Sequence, residues 1–328
     1  MRGKGLKILL IGAGRWGKNH LKVLTKLVDE VYVVDSDLNQ LEICREFSIP
    51  PNHLSTHYQD FLDQVNGVDV VTPADSHLAI CKDCFKKGKD VFVEKPIALI
   101  SQEAREMINQ AERNGLILQV GHIYRYHPAS LKIKQIIKEG RLGSVEYAYG
   151  HFMGFKRPRM DVGVTQTDAI HYFDLFNYLF GKPPQAVTAV VKNYLHLPLD
   201  DTLVSVLDYQ GRIVFIEAGY MPPEKRRDIA IVGDQASLYC DFQKNSLLFC
   251  GNRHERQGER CVALEGDVQG ISIEPEEPLA IELKAFLDSI KNRSKPLADG
   301  EAGYEALKVV EACYESSQKG KRIEIKWK

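Results

Sequence analysis

The chain has 328 residues, more than one compact core usually takes, and a prior of roughly 150 residues per domain predicts two domains. Apolar residues make up 44% and charged residues 27%, which excludes a disordered chain. With 43 basic against 44 acidic residues the net charge is −1, which argues against a nucleic-acid or membrane-surface partner and leaves room for a local basic pocket.

No apolar run approaches the ~18 residues a membrane-spanning helix needs. Arg2, Lys4 and Lys7 precede the short apolar run Ile8–Ile11 in a faint likeness of a signal peptide. That run is too short and leads into a glycine motif, so a cytoplasmic protein is expected. Seven cysteines, odd in number and irregular in spacing, do not outline a disulfide framework. Cys81 and Cys84 form a CxxC in a helical stretch with no second pair at zinc spacing, so they read as small helix residues and no metal site is expected.

The first ~120 residues alternate strand and helix. Apolar strands are predicted at Lys7–Ile11, Val31–Val34, Val68–Thr72, Val91–Val93 and Leu116–Val120. Helices are predicted at Gly17–Val28, Leu38–Phe47, through Ile80 and Phe85, and at Ser101–Asn114. Such alternation builds a doubly wound parallel sheet covered on both faces, here over residues 1–121.

From residue 122 to 328 the pattern changes. A helix at Pro128–Glu139 leads into strands at Val145–Phe152, Ala186–Tyr194, Thr202–Tyr209, Arg212–Tyr220, Arg227–Val232, Ala236–Phe242 and Ser246–Phe249. Turns such as Tyr209-Gln210-Gly211-Arg212 suit hairpins. One helix interrupts them at Thr165–Phe180, and two follow near Leu279–Lys291 and Glu301–Lys319. The prediction is an α/β second domain on a large, mainly antiparallel, open-faced sheet. Alternation at Val204-Val206 and Val214-Ile216 predicts an apolar outer face, and with it a homodimer or homotetramer.

Gly12-Ala13-Gly14-Arg15-Trp16-Gly17 spells GxGxxG between a strand and a helix. There the first glycine permits a tight turn, the second a close approach of backbone to a pyrophosphate, and the third close packing of helix on strand. Asp35 follows Gly14 by 21 residues at the end of the second strand. A carboxylate there accepts from the ribose hydroxyls of NAD and repels the 2′-phosphate of NADP. Val91-Phe92-Val93-Glu94-Lys95-Pro96 places a lysine at the C-terminal end of a strand, where α/β sheets bind ligands.

These features, with Thr72-Pro73 and His77, with Gly121 to Pro128, and with the helix carrying His171 and Asp174, resemble the Gfo/Idh/MocA family of sugar and cyclitol oxidoreductases over nearly the whole length. The resemblance implies hydride exchange between nicotinamide and a carbinol carbon. It implies that Lys95 is the active-site lysine and that His171 is the proton acceptor. Arg15, Trp16, Thr72, Pro73, His77 and Glu94 then belong with the glycines and Asp35 to the cofactor site. Many members carry an aspartate four residues before the histidine. Here Thr167 stands there and Asp168 one place later, still on one helical face with His171. Asp174 is a second candidate on that side. Tyr124 and Arg125 are candidates for contact with substrate, Arg125 equally for a structural ion pair. The loop Gly154–Val164, with Lys156, Arg157 and Arg159, resembles that of UDP-N-acetylglucosamine 3-dehydrogenase-like members, which act on nucleotide-linked sugars. Arginines suit phosphate, though a solvated basic loop is the alternative reading. The alternatives for function are a cyclitol or free-sugar dehydrogenase and a non-catalytic NAD-binding regulator.

Overall fold

The computed structural model describes residues 5–327, so Arg2 and Lys4 lie outside the described residues. The chain forms two units. The first contains a six-stranded sheet of β1 (Lys7–Ile11), β2 (Glu30–Val34), β3 (Leu54–Ser55), β4 (Gly67–Val70), β5 (Asp90–Glu94) and β6 (Leu118–Gly121). Its order is β3-β2-β1-β4-β5-β6, and every pair is parallel. The reversal of direction beside β1 is the topological switch at which such sheets bind ligands, outside the carboxyl ends of the strands. Helices α1 (Gly17–Leu27), α2 (Leu38–Cys44), α3 (His77–Lys86) and α4 (Ser101–Arg113) provide the crossovers. The helix predicted at Leu38–Phe47 ends at Cys44 and tightens into a 3₁₀ turn at Arg45–Phe47, closed by Ser48 at φ 62°. Cys81 and Cys84 are both buried on α3.

The second unit begins with α5 (Pro128–Lys138) and β7 (Val145–Met153). A π turn at Thr165–Ala169 runs into α6 (Ile170–Phe180). Strands β8 (Ala186–Lys192), β9 (Thr202–Tyr209), β10 (Arg212–Gly219), β11 (Arg226–Gly233), β12 (Ser237–Asp241), β13 (Ser246–Cys250), β14 (Arg253–Gln257), β15 (Arg260–Leu264), β16 (Val268–Ile271) and β17 (Ile323–Glu324) follow. Nine of these strands form one sheet in the order β16-β13-β12-β11-β7-β10-β9-β8-β17, in which only β10 and β7 pair in parallel. Strands β14 and β15 form a separate hairpin. The sequence gives little sign of that hairpin, because β14 is exposed on both faces and lacks apolar alternation.

Helix α6 covers the inner face of this sheet. Gly150 of β7 lets it approach: a Cβ there would stand 2.7 Å from the Tyr172 ring. Tyr209 donates to Asn177 Oδ1 at 2.8 Å, and Lys134 of α5 donates to the last carbonyls of α6, Tyr178 and Leu179, at 2.6 and 2.9 Å. On the outer face the pairing aligns Leu248, Tyr239, Ala230, Tyr149, Phe215, Val206 and Thr188 in one row across seven strands. Val204 and Val206 point outward as predicted. Val214 and Ile216 do not: they are buried, and Phe215 between them faces out. An apolar residue at every position of Ile213–Ile216 hides which face is which.

The two units interleave along the chain rather than meeting at one boundary. The first unit runs to Tyr126 and takes back Glu277–Tyr304, including α7 (Pro278–Asn292) and the start of α8 (Gly300–Lys319). Leu279, Leu283, Phe286, Leu287 and Ile290 of α7 join the core formed by Ile8, Leu10, Leu21, Leu24, Val33 and Phe92. Phe286 meets Phe92 edge to face at 5.9 Å. Gln119 of β6 donates to the Glu282 carbonyl at 3.0 Å, and Asp90 pairs with Arg293 at 2.6 Å.

Candidate active site

The three glycines of the turn after β1 have different surroundings. Gly12 has φ 97°, and a Cβ on it would stand 2.5 Å from the Val71 carbonyl oxygen. A Cβ on Gly17 would stand 1.9 Å from the carbonyl oxygen of Gly12. Both positions are closed by the protein's own backbone. Around Gly14 nothing lies within 4 Å of a Cβ. That open space, at the start of α1, is where a pyrophosphate approaches. No side chain caps α1, which leaves its first turn to an anion. Arg15 and Trp16 are exposed beside it.

Asp35 closes the turn from the β2 side. Its Oδ2 accepts from the N–H of Ala13 at 2.7 Å and its Oδ1 from the N–H of Asp37 at 2.9 Å. The carboxylate is therefore held in place, and each oxygen keeps a lone pair for a ribose hydroxyl. The residues present fit a dinucleotide without 2′-phosphate.

Two further turns follow β4 and β5. Thr72 and Ser76 hydroxyls meet at 2.6 Å, and Pro73 is exposed. His77 is buried, its Nε2 at 2.9 Å from the Thr72 carbonyl and its Nδ1 at 3.0 Å from that of Pro96. Burial holds its pKa below the usual histidine value. The neutral ring carries one N–H and donates to one of these two carbonyls while its other nitrogen lies against the second, so the ring is packed between the two turns. Lys95 is half-buried and its peptide bond to Pro96 is cis.

Glu94 is buried under these turns. Its Oε1 accepts from Trp16 Nε1 at 2.8 Å, and its Oε2 from the backbone N–H of Lys95 at 3.0 Å. His20 of α1 stands 3.2 Å from Glu94 Oε1 through Nε2 and 2.9 Å from Asp69 Oδ2 through Nδ1. Burial alone would lower the pKa of His20, but Asp69 and Glu94 outweigh it and raise the pKa to about 10. Burial would raise that of Glu94, but His20, Lys95 and Trp16 outweigh it and lower the pKa. Sequence reasoning missed His20 and Asp69. A histidine on the buried stripe of α1, beside Leu21 and Leu24, was the available signal.

Arg125 is buried and donates to the Leu297 carbonyl at 2.8 Å, which favours its structural reading; Tyr124 is half-buried.

In the second unit His171 lies in the first turn of α6, buried, its ring stacked on Phe152 at 5.2 Å and 18°. The guanidinium of Arg227 lies 3.8 Å from the centre of the same Phe152 ring. Asp168 differs from expectation. It lies within the π turn, where helical three- and four-residue spacing does not apply, and its Oδ2 stands 2.5 Å from Lys156 Nζ. One oxygen of the carboxylate thus faces a loop cation. Burial lowers the pKa of Lys156, Asp168 opposes that shift, and Arg227 and Arg159 add to it. Arg159 is clamped by Asp161 through both Nε and Nη2, while Arg157 is exposed. Asp174 is fully buried.

Residues 6–122 match the model of an oxidoreductase family's NAD-binding Rossmann fold, and residues 134–325 match the C-terminal alpha/beta domain of the same family. The UDP-N-acetylglucosamine 3-dehydrogenase of Acidithiobacillus ferrooxidans is 25% identical, over 91% of this chain and 93% of that one. The inositol 2-dehydrogenase of Rhizobium meliloti is 24% identical, over 96% and 98%. In fold, a levoglucosan dehydrogenase in complex with NADH and levoglucosan superposes with a TM-score of 0.86 at 19% identity, over 98% and 99%.

Proposed function

Because the chain belongs to the Gfo/Idh/MocA family of NAD-dependent oxidoreductases, we propose that it oxidises a secondary hydroxyl of a sugar carried on a nucleotide. Bound NAD supplies the hydride acceptor; the protein supplies orientation and proton handling. His171 takes the hydroxyl proton as general base. Lys95 donates a hydrogen bond to the same oxygen and stabilises the negative charge that develops there.

The observation that carries the nucleotide-sugar reading is the cation cluster near His171. Lys156, Arg159 and Arg227 stand against two carboxylates, Asp161 and Asp168, and Arg157 is exposed on the same loop. A surplus of positive charge beside the catalytic helix suits a diphosphate. One observation favours a second reading, a cyclitol or free sugar: Lys156 and Arg159 already hold acidic partners. Incubation with NAD and UDP-N-acetylglucosamine, myo-inositol or levoglucosan, with absorbance of reduced cofactor as the readout, separates the two. Turnover confined to the uncharged compounds overturns the nucleotide reading. Tight NAD binding with no turnover of any sugar would point to a regulator.

The outer face of the nine-stranded sheet supports self-association. Tyr147, Val190, Val204 and Phe215 are each at least 42% exposed there. A homodimer or homotetramer joined through that face is expected, and a monomer in sedimentation at micromolar concentration would contradict it.

A further inference from the structure

The group formed by Asp69, His20, Glu94 and Trp16 is an expensive one to bury. Asp69 is fully buried, and among the described residues its Oδ1 has no hydrogen-bond partner. An unsatisfied buried carboxylate oxygen costs stability, and an apolar trio of the same volume would cost less. His20 has a carboxylate oxygen at each ring nitrogen, at 2.9 and 3.2 Å. Nδ1 hydrogen-bonds Asp69, whereas Nε2 makes no hydrogen bond and meets Glu94 as a charge contact, which the imidazolium and not the neutral ring supplies. The carboxyl of Glu94 fills the place of a side chain at residue 121: a Cβ on Gly121 would stand 2.7 Å from Glu94 Oε1. The carboxylate therefore has one seat, and its Oε2 holds the N–H of Lys95.

We propose that His20, clamped between Asp69 and Glu94, is a positioning residue for Lys95. It fixes the Glu94 carboxylate, which in turn holds the lysine backbone on one side and the Trp16 indole of the glycine turn on the other. This rests on the role given to Lys95 above. The turn that meets the dinucleotide and the turn that presents the amine then share one buried charge, so the amine is set in place relative to the cofactor site before substrate arrives. Placement errors of about 1 Å cost roughly 100-fold in rate, which is the scale at which such a clamp matters.

The test is a cycle on the full chain with His20→Asn, Lys95→Ala and the pair combined. Turnover is measured with NAD and whichever of UDP-N-acetylglucosamine, myo-inositol and levoglucosan the unaltered enzyme oxidises. NAD affinity is read from tryptophan emission, since Trp16 is one of two tryptophans. His20→Asn is expected to lower kcat by about 10–100-fold with NAD affinity nearly unchanged, and to cost nothing further when Lys95 is already alanine. The same loss in both backgrounds means a merely structural role and overturns the proposal. Undiminished turnover of Lys95→Ala would instead overturn the function proposed for the lysine, so the two failures are distinct. Hydrogen exchange provides an arm free of any substrate and covers poor folding of His20→Asn. In that variant and in Trp16→Phe, an exposed site, the Lys95 amide should exchange about tenfold faster while β1 keeps its protection. Unchanged protection at Lys95, or loss spread evenly over the unit, overturns the proposal.

Discussion

The carboxylate of Asp35 accepts the backbone N–H of Ala13 at 2.7 Å, so the end of β2 fixes the middle of the glycine turn. One side chain thus shapes the glycine turn, and the NAD reading gives it a second task, presenting charge to a ribose. Two effects should follow from Asp35→Ser. Discrimination against NADP should narrow, because the repulsion of a phosphate dianion is gone. Affinity for NAD should also fall, because the turn loses its tether. Parallel titrations with both cofactors check this; equal or tighter binding of NADP by the unaltered chain would contradict the assignment.

The glycines of that turn should separate by what a methyl group meets. Gly17→Ala drives a Cβ into a carbonyl oxygen and should unfold or severely destabilise the first unit, which a thermal melt detects. Gly14→Ala meets nothing in the protein and should melt nearly normally while binding NAD poorly. Similar melting of the two variants would refute the distinction.

His171→Ala should leave NAD affinity intact, since the glycine turn and Asp35 are untouched. Turnover should fall by roughly 10²–10⁴-fold, the usual cost of losing a general base. Near-normal turnover at saturating NAD would move the base elsewhere.

Stability should be greatest between two histidine transitions. His20 has its pKa raised from 6.5 to about 10, so its contribution is complete below 6.5 and is lost as pH rises through 10. His127 caps α5 by accepting the N–H of Ala129 at Nδ1, which needs the neutral ring. Its pKa falls to about 4 through burial, so its contribution is complete above 6.5 and is lost as pH falls through 4. Melting temperature against pH should decline on both sides of neutrality. His20→Asn should flatten the alkaline side and His127→Asn the acid side; a flat profile for the unaltered chain between pH 4 and 10 would refute both.

What could be read from the chain beforehand was local. The glycine turn, Asp35 and the Glu94-Lys95-Pro96 turn announce themselves because each is a short stretch whose backbone demands particular residues. Contacts between distant stretches were not legible. The pairing of Lys156 with Asp168 depends on a π turn that shifts a side chain by a fraction of a helical turn, and no periodicity encodes that. The outward face of β10 was misread because four consecutive apolar residues carry no alternation. His20 was passed over because a buried histidine resembles any other polar residue on a helix until its two partners, 49 residues and 74 residues further along, are known.

The place of α7 has a consequence for how the protein is made. On the ribosome, residues to Tyr126 emerge first and already carry all six strands of the first sheet. They lack Leu279, Leu283, Phe286 and Ile290, which reach the same core only after residues 127–278 have been made. At about 5–20 residues per second, the first-made unit waits roughly 8–30 seconds with an apolar flank uncovered. The first-made unit is therefore completed only after residues 127–276 of the second have been synthesised, and a message cut short before codon 278 would release a nucleotide-binding unit with its motif intact and its core open.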